Sequence, residues 1–304
     1  VTSAAIGYTL APRINASGRM GRAGVAAELL LTRDSARGEK LARALCDLNR
    51  ERQAIEAEIY SECITRVEKL PAQERSALVL SGEHWHQGVV GIVASRLAGR
   101  YSCPAFMICL QDGRGKGSCR SFGGFNLFAA LESCADLLDG FGGHELAAGF
   151  TIQESQIPAF ARRINECVRL RTGGAEMVST LEIDGEVENV DLLTLEGVEG
   201  LDMLEPFGAG NPKPVFSLTG CTVSALSEVG GGRHLKLKLS AGGRSLDAIF
   251  FSATMAQTAL APGDRVDVAF TPQINEYRGW RGVQLQVCDL RPALTRAQAE
   301  RALY

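Results

Sequence analysis

Residues 141–150 read Phe-Gly-Gly-His-Glu-Leu-Ala-Ala-Gly-Phe, and the rest of the chain can be interpreted outward from this stretch. The adjacent Gly142 and Gly143 can adopt positive φ and expose bare backbone N–H groups. The small residues behind them favour a helix that begins at His144, and an imidazole at a helix N-terminus suits an anion site. The alternative is a tight glycine turn in front of a buried Ala-rich helix.

Two upstream stretches add residues that are suited to phosphate. Residues 116–121 read Lys-Gly-Ser-Cys-Arg-Ser, in which Ser118 offers a hydroxyl and Arg120 a guanidinium that can bind two phosphate oxygens. Residues 85–97 read Trp-His-Gln-Gly-Val-Val-Gly-Ile-Val-Ala-Ser-Arg-Leu and predict a turn that leads into a helix of small residues.

These three stretches, in this order, resemble the DHH-associated domain of the bacterial RecJ single-strand-specific exonucleases, a family of the DHH phosphoesterase superfamily. The resemblance extends from about residue 8 to about residue 290. It implies that Ser118 and Arg120 form a pocket for the 5′-phosphate of a DNA strand. It also implies that Gly142, Gly143 and His144 face the scissile phosphate. His144, the catalytic candidate, is either a donor to phosphate or a general acid, and we expect the donor role.

Composition is that of a soluble protein with more than one domain. The chain has 304 residues, of which 45% are hydrophobic and 22% charged. No apolar run is long enough to span a bilayer and no signal-peptide pattern is present, so we expect a cytoplasmic location. The nine cysteines include no CxxC pair, which favours reduced, mostly buried thiols over zinc ligands.

Charge is distributed unevenly along the chain. The net charge is −3, but residues 172–212 hold ten acids and no lysine or arginine. In the rest of the chain 25 acids face 32 bases, a net charge of +7. This division leaves room for a basic groove that binds nucleic acid. The acidic stretch is equally consistent with a solvated connector.

Residues 7–21 contain too many glycines and arginines for a core element. In the RecJ-like proteins the similar segment closes the catalytic DHH domain, which assigns residues 1–34 to the end of that domain. By the same resemblance, Arg13, Asn15 and Arg19 contact phosphate or order the catalytic pocket. The alternative is that these arginines cap and brace a loop.

The metal-binding motifs of the family are not found in this sequence. It contains no Asp-His-His and no cluster of carboxylates with histidine at ligand spacing. The resemblance implies Mg²⁺ or Mn²⁺ held by a missing N-terminal domain, so we expect a C-terminal fragment that cannot cleave DNA alone. His84 and His86 are two residues apart but lack a third ligand nearby, and Trp85 is either a core residue or a stacking platform.

The middle of the chain predicts helices followed by an α/β domain. Residues 25–32 form a short helix, and residues 35–71 form one long helix, about 50 Å in length, that suits a strut between domains. Residues 76–171 alternate between strands and helices, with a helix at residues 126–138. Glycine loops at residues 113–124 and 140–143 are expected to meet at one edge of the sheet.

The C-terminal part predicts a small closed barrel. Strands alternate strictly at residues 235–239, 266–270 and 283–287, with glycine-rich turns between such runs. The oligonucleotide-binding (OB) fold suits this pattern over residues 177–292, followed by a tail at 293–304. The candidates for binding nucleic acid are basic or aromatic: Lys236, Lys238, Arg278, Trp280 and Arg281.

The fold class predicted is therefore α/β plus all-β. The function implied is a metal-dependent 5′ to 3′ exonuclease for single-stranded DNA in repair and recombination. This chain would supply 5′-end recognition and strand binding. We expect single-stranded DNA with a 5′-phosphate as the partner, a single-strand-binding protein as a further partner, and a monomer. Two alternatives stay open: a DHH phosphoesterase of short oligonucleotides or cyclic dinucleotides, and a non-catalytic nucleic-acid-binding scaffold.

Overall fold

A computed structural model describes residues 2–71, 74–175, 177–277 and 279–293. The chain divides into two compact units, Val1–Thr180 and Leu181–Tyr304. Among the described residues, none of the helices combines the length and apolar character that crossing a bilayer requires. All nine cysteines are free thiols, and five of them are buried, as the sequence predicted.

The first unit begins with helices. They are α1 (Ser3–Ala5), a π-helical turn (Ile6–Leu10), α2 (Ala11–Arg19), α3 (Ala23–Leu31) and α4 (Ser35–Val67). The expectation that residues 7–21 avoid regular packing is wrong. They are helical up to Arg19, and α2 packs on α4 with Ala16 and Ser17 buried, because these small side chains allow close helix contact.

Helix α4 belongs to two apolar clusters. It begins at Asp34, whose carboxylate accepts from the backbone N of Ala36 at 2.9 Å, an N-cap that satisfies the first turn. Near this end Leu45 and Leu48 pack with Ala26 of α3, and towards the other end Ile59 packs in a second cluster. The helix ends at Val67, before the predicted residue 71.

Between the two clusters, a buried ion pair attaches α4 to the neighbouring helix that carries Arg96. The Glu56 carboxylate accepts from Arg96 at 2.8 Å and also pairs with Arg52. Arg96 lies 3.8 Å over the ring of Tyr60. Because Glu56 is buried, its charge requires these partners.

A five-stranded sheet follows. Its strands are β1 (Leu78–Gly82), β2 (Ala105–Gln111), β3 (Arg114–Arg120), β4 (Gly140–Gly143) and β5 (Ala147–Gln153), in the order β1-β2-β3-β5-β4. Strands β1 and β2 are parallel, and the other pairs are antiparallel. The predicted helix at 126–138 is divided into α6 (Leu127–Glu132) and a 3₁₀ turn at Ala135–Leu137.

Helices cover the two faces of this sheet unequally. On one face α6 and α7 (Ile157–Thr172) pack over Phe106 and Phe150. On the other face α5 (Gln87–Tyr101) packs over Leu78 and Met107, which belong to β1 and β2. Helix α5 also lies beside Ser118 and Arg120 at the end of β3. The rest of that face, formed by β5, β4 and the beginning of β3, carries no helix among the described residues and is the open part of the sheet.

The second unit is a closed barrel. Its strands are β6 (Gly185–Glu186), β7 (Phe216–Val229), β8 (His234–Ala241), β9 (Arg244–Phe251), β10 (Arg265–Tyr277) and β11 (Trp280–Pro292). Five of them pair in the order β7-β8-β9-β11-β10, and β10 pairs with β7 to close the barrel. The predicted combination of an α/β domain and an OB-like barrel is thus confirmed.

Part of the acidic stretch packs against this barrel. Helix α8 (Leu195–Gly200) and the residues before it bury Val190, Leu193 and Val198. Val190 and Leu193 join the core of the barrel with Leu237. The stretch is therefore more than a solvated connector. A second short helix, α9 (Met255–Thr258), lies between β9 and β10.

Replacement of Phe160 by Ala should destabilise the first unit strongly. Phe160 is fully buried on α7, with its ring 5.0 Å from Phe150 and 5.8 Å from Phe106. Loss of such a ring leaves a cavity and costs about 3–5 kcal/mol. Urea denaturation followed by circular dichroism measures this change in the free energy of unfolding.

Leu170→Ala is the matched control, because Leu170 lies on the same helix but is 75% exposed. Its effect should stay within about 0.5 kcal/mol. Equal effects of the two substitutions would contradict the packing of α7 on the sheet.

Candidate nucleic-acid interface

Strand β3 separates core residues from candidate ligand-binding residues. Side chains alternate along a strand, so Gly117 and Cys119 face α6 and α7, whereas Lys116, Ser118 and Arg120 lie on the other face, which holds α5 and the open part of the sheet. Gly117 is required by packing, because a Cβ there would lie 2.3 Å from the ring of Phe150. The glycine therefore brings β3 close to β5 and fixes the direction of its polar side chains.

Next to Ser118, the surface of the sheet is formed by backbone without side chains. Its partner across the ladder is Gly149, and the partner of Gly149 on the next strand is Gly142. Neither glycine carries a side chain above the sheet. A hollow of about 480 Å³ lies here and is also lined by Gln87 and Lys116. A ligand can approach the backbone closely at such a place.

Arg120 and Ser118 are held together beside α5. Arg120 Nη1 donates to Ser118 Oγ at 3.2 Å and to the carbonyl oxygen of Cys119 at 2.8 Å. A Cβ on Gly91 of α5 would lie 2.8 Å from Arg120 Nη2 and 3.0 Å from Ser118 Oγ. Gly91 thus makes room for both side chains. Sequence reasoning missed this residue, although the small residues of the predicted helix were its signal.

Arg19 completes a cluster of positive charge. Its Nη1 donates to the carbonyl oxygen of Gly88 at 3.0 Å, and a Cβ on Gly88 would lie 2.2 Å from the Arg19 carbonyl oxygen. The end of α2 therefore sits on the beginning of α5. Burial lowers the pKa of Arg120 from its ordinary value, the Cys119 thiol opposes this shift, and the charge of Arg19 lowers the pKa further.

Within the described residues, neither Arg19 nor Arg120 forms a salt bridge with a carboxylate. A guanidinium whose pKa is lowered by burial and by the charge of a second guanidinium, beside a hydroxyl, favours an anion as a partner. The arrangement is able to bind phosphate.

Arg13 and Asn15 lie apart from this cluster. Arg13 donates to the Thr9 carbonyl oxygen at 2.5 Å and to Cys46 Sγ at 3.4 Å, on the side of α2 that faces α4. Asn15 is exposed on α2. Of the three candidates in this segment, the structure brings Arg19 alone to Ser118 and Arg120.

The predicted helix at His144 does not form. Strand β4 ends at Gly143, His144 donates its backbone N–H to the Ala147 carbonyl oxygen at 2.9 Å, and β5 begins at Ala147. Gly143 has φ of +137°, and a Cβ there would lie 2.5 Å from the Cα of Ala148. A hairpin therefore replaces the helix, and His144 is exposed at its turn rather than at a helix N-terminus.

Two further backbone bonds hold this turn. Ser121 donates its backbone N–H to the Leu146 carbonyl oxygen at 3.0 Å, and Leu127 donates to that of Glu145 at 2.8 Å. The glycine-turn interpretation of residues 142–143 was the better one for the backbone. The buried Ala-rich helix of that interpretation is wrong, however, because Ala148 and Phe150 are buried in strand β5.

His86 and Trp85 have structural roles, whereas His84 is exposed. His86 Nδ1 accepts from the backbone N of Gly88 at 3.1 Å and caps α5. Trp85 is buried and donates from Nε1 to Glu62 Oε2 at 2.9 Å. In the part of the chain that the structure describes, no three His, Cys, Asp or Glu residues come together as a metal site. The described residues therefore do not form a site that fits Mg²⁺ or Mn²⁺.

The barrel presents a second polar face. Lys236 and Lys238 are exposed on β8, while Leu237 between them is buried. Trp280 is 61% exposed at the start of β11, and its ring occupies the space above Gly282, where a Cβ would lie 2.1 Å from it. Lys236 and Trp280 line one hollow of about 320 Å³.

The remaining candidates on the barrel differ. Arg281 pairs with Glu199 of α8 at 2.7 Å, so its charge is partly neutralised. Arg278 lies outside the described residues. The predicted hairpin between β10 and β11 is present, with Tyr277 opposite Trp280.

The two units match two family domains. Residues 74–170 match the DHHA1 domain, and residues 183–289 match the RecJ OB domain. The single-stranded-DNA-specific exonuclease RecJ of Bacillus subtilis is 35% identical over 287 residues, which are 93% of this chain and 36% of that protein. The Escherichia coli protein of the same name is 34% identical over 303 residues, which are 94% of this chain and 51% of that protein.

A solved structure agrees. The crystal structure of RecJ in complex with Mg²⁺ from Thermus thermophilus has a TM-score of 0.82 and 32% identity, and the match covers 97% of this chain and 44% of that one. The complex of the same protein with Mn²⁺ gives the same TM-score. The chain spans between about a third and about half of the length of its curated relatives. Because both domains occur in the same order, with similarity over nearly the whole chain, the chain belongs to the RecJ family.

Proposed function

We propose that this chain supplies 5′-end recognition and strand binding to a metal-dependent exonuclease that degrades single-stranded DNA from 5′ to 3′ in repair and recombination. One observation carries the proposal: Ser118 and the half-buried Arg120 lie side by side on β3, near the charge of Arg19, and neither arginine has a carboxylate partner among the described residues. The names of the relatives, single-stranded-DNA-specific exonucleases, support the substrate class.

A terminal phosphate suits this cluster better than an internal one. A phosphomonoester carries more negative charge and more free oxygens than a diester, so it gains more from two guanidinium groups and a hydroxyl. The side-chain-free surface at Gly142 and Gly149 lets the phosphate come close to the sheet. We therefore assign the 5′-phosphate to Ser118 and Arg120, with Arg19 as a third contact.

The hairpin turn carries the residue assigned to the neighbouring phosphate. His144 follows Gly142 and Gly143 and is exposed. A neutral or charged imidazole can donate a hydrogen bond to a phosphate oxygen, and this donor role is our proposal; a general-acid role is the alternative. For Arg13 and Asn15 we propose the roles that the resemblance implies, contact with phosphate or ordering of the catalytic pocket.

The barrel is assigned to the strand itself. Exposed lysines on β8 follow the backbone charge, and Trp280 stacks on a base. Arg281, and Arg278 outside the described residues, are assigned to the same strand. The partners proposed are single-stranded DNA with a 5′-phosphate and a single-strand-binding protein, for a monomer in the cytoplasm.

Hydrolysis itself is assigned to residues outside this chain. The described residues do not fit Mg²⁺ or Mn²⁺, the metals present in the two Thermus structures. We propose that the ligands of such a metal lie elsewhere in the intact protein, and that this chain binds DNA but does not cleave it.

The preference for a 5′-phosphate should depend on Arg120. We expect an oligonucleotide of about fifteen nucleotides with a 5′-phosphate to bind about tenfold more tightly than the 5′-hydroxyl form, since a charged hydrogen bond contributes about 1.5–3 kcal/mol. Arg120→Ala should abolish this difference. Fluorescence anisotropy of labelled oligonucleotides measures both affinities.

Arg163→Ala is the control, because Arg163 is an exposed arginine on α7, on the opposite side of the sheet, paired with Asp136. It should keep the preference for phosphate. Equal affinity of the wild-type chain for both 5′ ends would refute the assignment of the pocket.

The pocket should also be sensitive to a single methyl group on α5. In Gly91→Ala the new Cβ lies 2.8 Å from Arg120 Nη2 and must displace it. We expect the preference for 5′-phosphate to fall at least about threefold, because the bidentate geometry is lost. Competition between the two 5′ forms of the oligonucleotide measures the ratio.

Gly99→Ala provides the comparison on the same helix, where nothing lies within 4 Å of the new Cβ. It should leave the ratio unchanged and stabilise the helix slightly. A loss of preference in both variants would show that α5 acts through stability rather than through the pocket.

Lys236 and Trp280 should contribute to strand binding in different ways. Lys236→Ala should reduce the slope of log affinity against log salt by about 0.7, because one phosphate contact is lost. Trp280→Ala should weaken binding by about 1–3 kcal/mol with the slope unchanged, because stacking carries no charge. Salt titrations of 5′-hydroxyl oligonucleotides distinguish the two, and Lys40→Ala on α4 serves as the control. Identical salt slopes in Lys236→Ala and the wild type would remove Lys236 from the interface.

A further inference from the structure

We propose that the hollow on the outer face of the barrel selects guanine among the bases of the bound strand. The hollow combines a stacking surface, Trp280, with a wall of hydrogen-bonding side chains: Asp247, Asn275 and Gln284. This inference rests on the proposed strand binding and adds a base preference to it.

The strand register places these residues on one face. Asp247 of β9 lies opposite Gln284 of β11. Asn275 of β10 lies opposite Gly282 of β11, two residues before Gln284. Trp280 is two residues further back along the same strand. Since side chains two residues apart share a face, all four project outward from the barrel.

Trp280 forms a fixed platform. The atoms of its six-membered ring lie 2.1–2.9 Å from the position that a Cβ on Gly282 would occupy. The ring therefore rests on the backbone of its own strand and yet is 61% exposed. A base can stack on such a ring without reorganising it.

The hydrogen-bonding side chains of the hollow present donors and acceptors at defined positions. Gln273 Nε2 donates to Gln284 Oε1 at 3.2 Å, which leaves the amide N–H groups of Gln284 to donate outward. Asp247 is half-buried and, among the described residues, forms neither an ion pair nor a side-chain hydrogen bond. Lys236 lines the same hollow and Lys238 lies opposite Asp247 on β8, yet in the described part of the chain neither lysine forms an ion pair with it. A carboxylate repels phosphate, so an unpaired one on a strand-binding face favours a ligand that offers N–H donors at that point.

Guanine matches this arrangement of donors and acceptors best. Its Watson–Crick edge presents two adjacent donors, N1–H and N2–H, followed by the acceptor O6. The donors fit the two oxygens of Asp247, and O6 fits the amide N–H of Gln284 or Asn275. Cytosine and adenine offer the carboxylate one amino group each, and thymine offers one imide N–H. Single strands expose these edges, which are paired in a duplex.

Inosine tests the contact with an almost identical base. Hypoxanthine retains N1–H and O6 but lacks the amino group at N2. We compare 5′-hydroxyl oligonucleotides of about fifteen nucleotides, the upper range of one OB fold, in which isolated dG or dI alternate with thymidines. The whole wild-type chain should bind the dG form about tenfold more tightly, the discrimination that a bidentate base contact provides.

Asp247→Asn should abolish the difference between dG and dI, because an amide has one acceptor oxygen where the carboxylate has two. Trp280→Ala should weaken both forms to a similar degree. Asp289→Asn removes the same charge from an exposed position on β11 outside the hollow and should keep the preference. Circular dichroism verifies that each variant is folded.

Equal binding of dG and dI by the wild-type chain would overturn the guanine proposal and leave strand binding intact. Failure of the wild-type chain to bind either oligonucleotide would instead overturn the strand-binding function, and the guanine proposal with it. If the Asp247→Asn variant still bound the dG form more tightly than the dI form, the guanine proposal would also be overturned.

Discussion

The α/β unit depends on close contacts that only glycine permits, both between backbone segments and between backbone and side chains. Gly117 lets β3 pass over the ring of Phe150, and Gly91 lets α5 lie against Arg120 and Ser118. A methyl group at either position would meet atoms well inside van der Waals contact. The polar side chains of β3 therefore point to one face, while the opposite face holds the buried Cys119 and, at Gly117, has room for a hydrogen only.

The charges at this site then indicate which kind of ligand the geometry favours. The same close approach brings Arg19 near Arg120, and burial adds to their mutual repulsion. In a protein selected only for stability such a pair is unfavourable, because each charge raises the cost of the other. An anion between them removes the repulsion.

Much of the architecture was predictable from local patterns, and the site was predictable in part. The alternation at Leu235, Leu237 and Leu239 has no competing interpretation, so the barrel strands followed directly from it. The run after Gly143 was ambiguous, because alanine suits a buried strand as well as a helix. The pairing with β3, which the local sequence cannot show, decided it. The roles of Gly91 and Arg19 depend on contacts between distant segments. The small residues around Gly91 predicted close packing of α5 but not its partner, whereas the resemblance to the family indicated Arg19.

Because α4 packs in two apolar clusters, the helix fixes the angle between the two clusters as well as the distance between them. Leu45 and Leu48 meet α3, whereas Ile59 and Glu56 meet the elements around α5. Each residue of an α-helix advances the direction of its side chain by about 100°. One residue inserted between Leu48 and Glu56 would turn one set of contacts away from its partners, even though the length would change by only about 1.5 Å. The segment between the clusters is therefore restricted in both angle and length. A change of about seven residues nearly restores the angle but shifts the clusters by about 10 Å, which would separate Arg19 of α2 from Gly88 of α5.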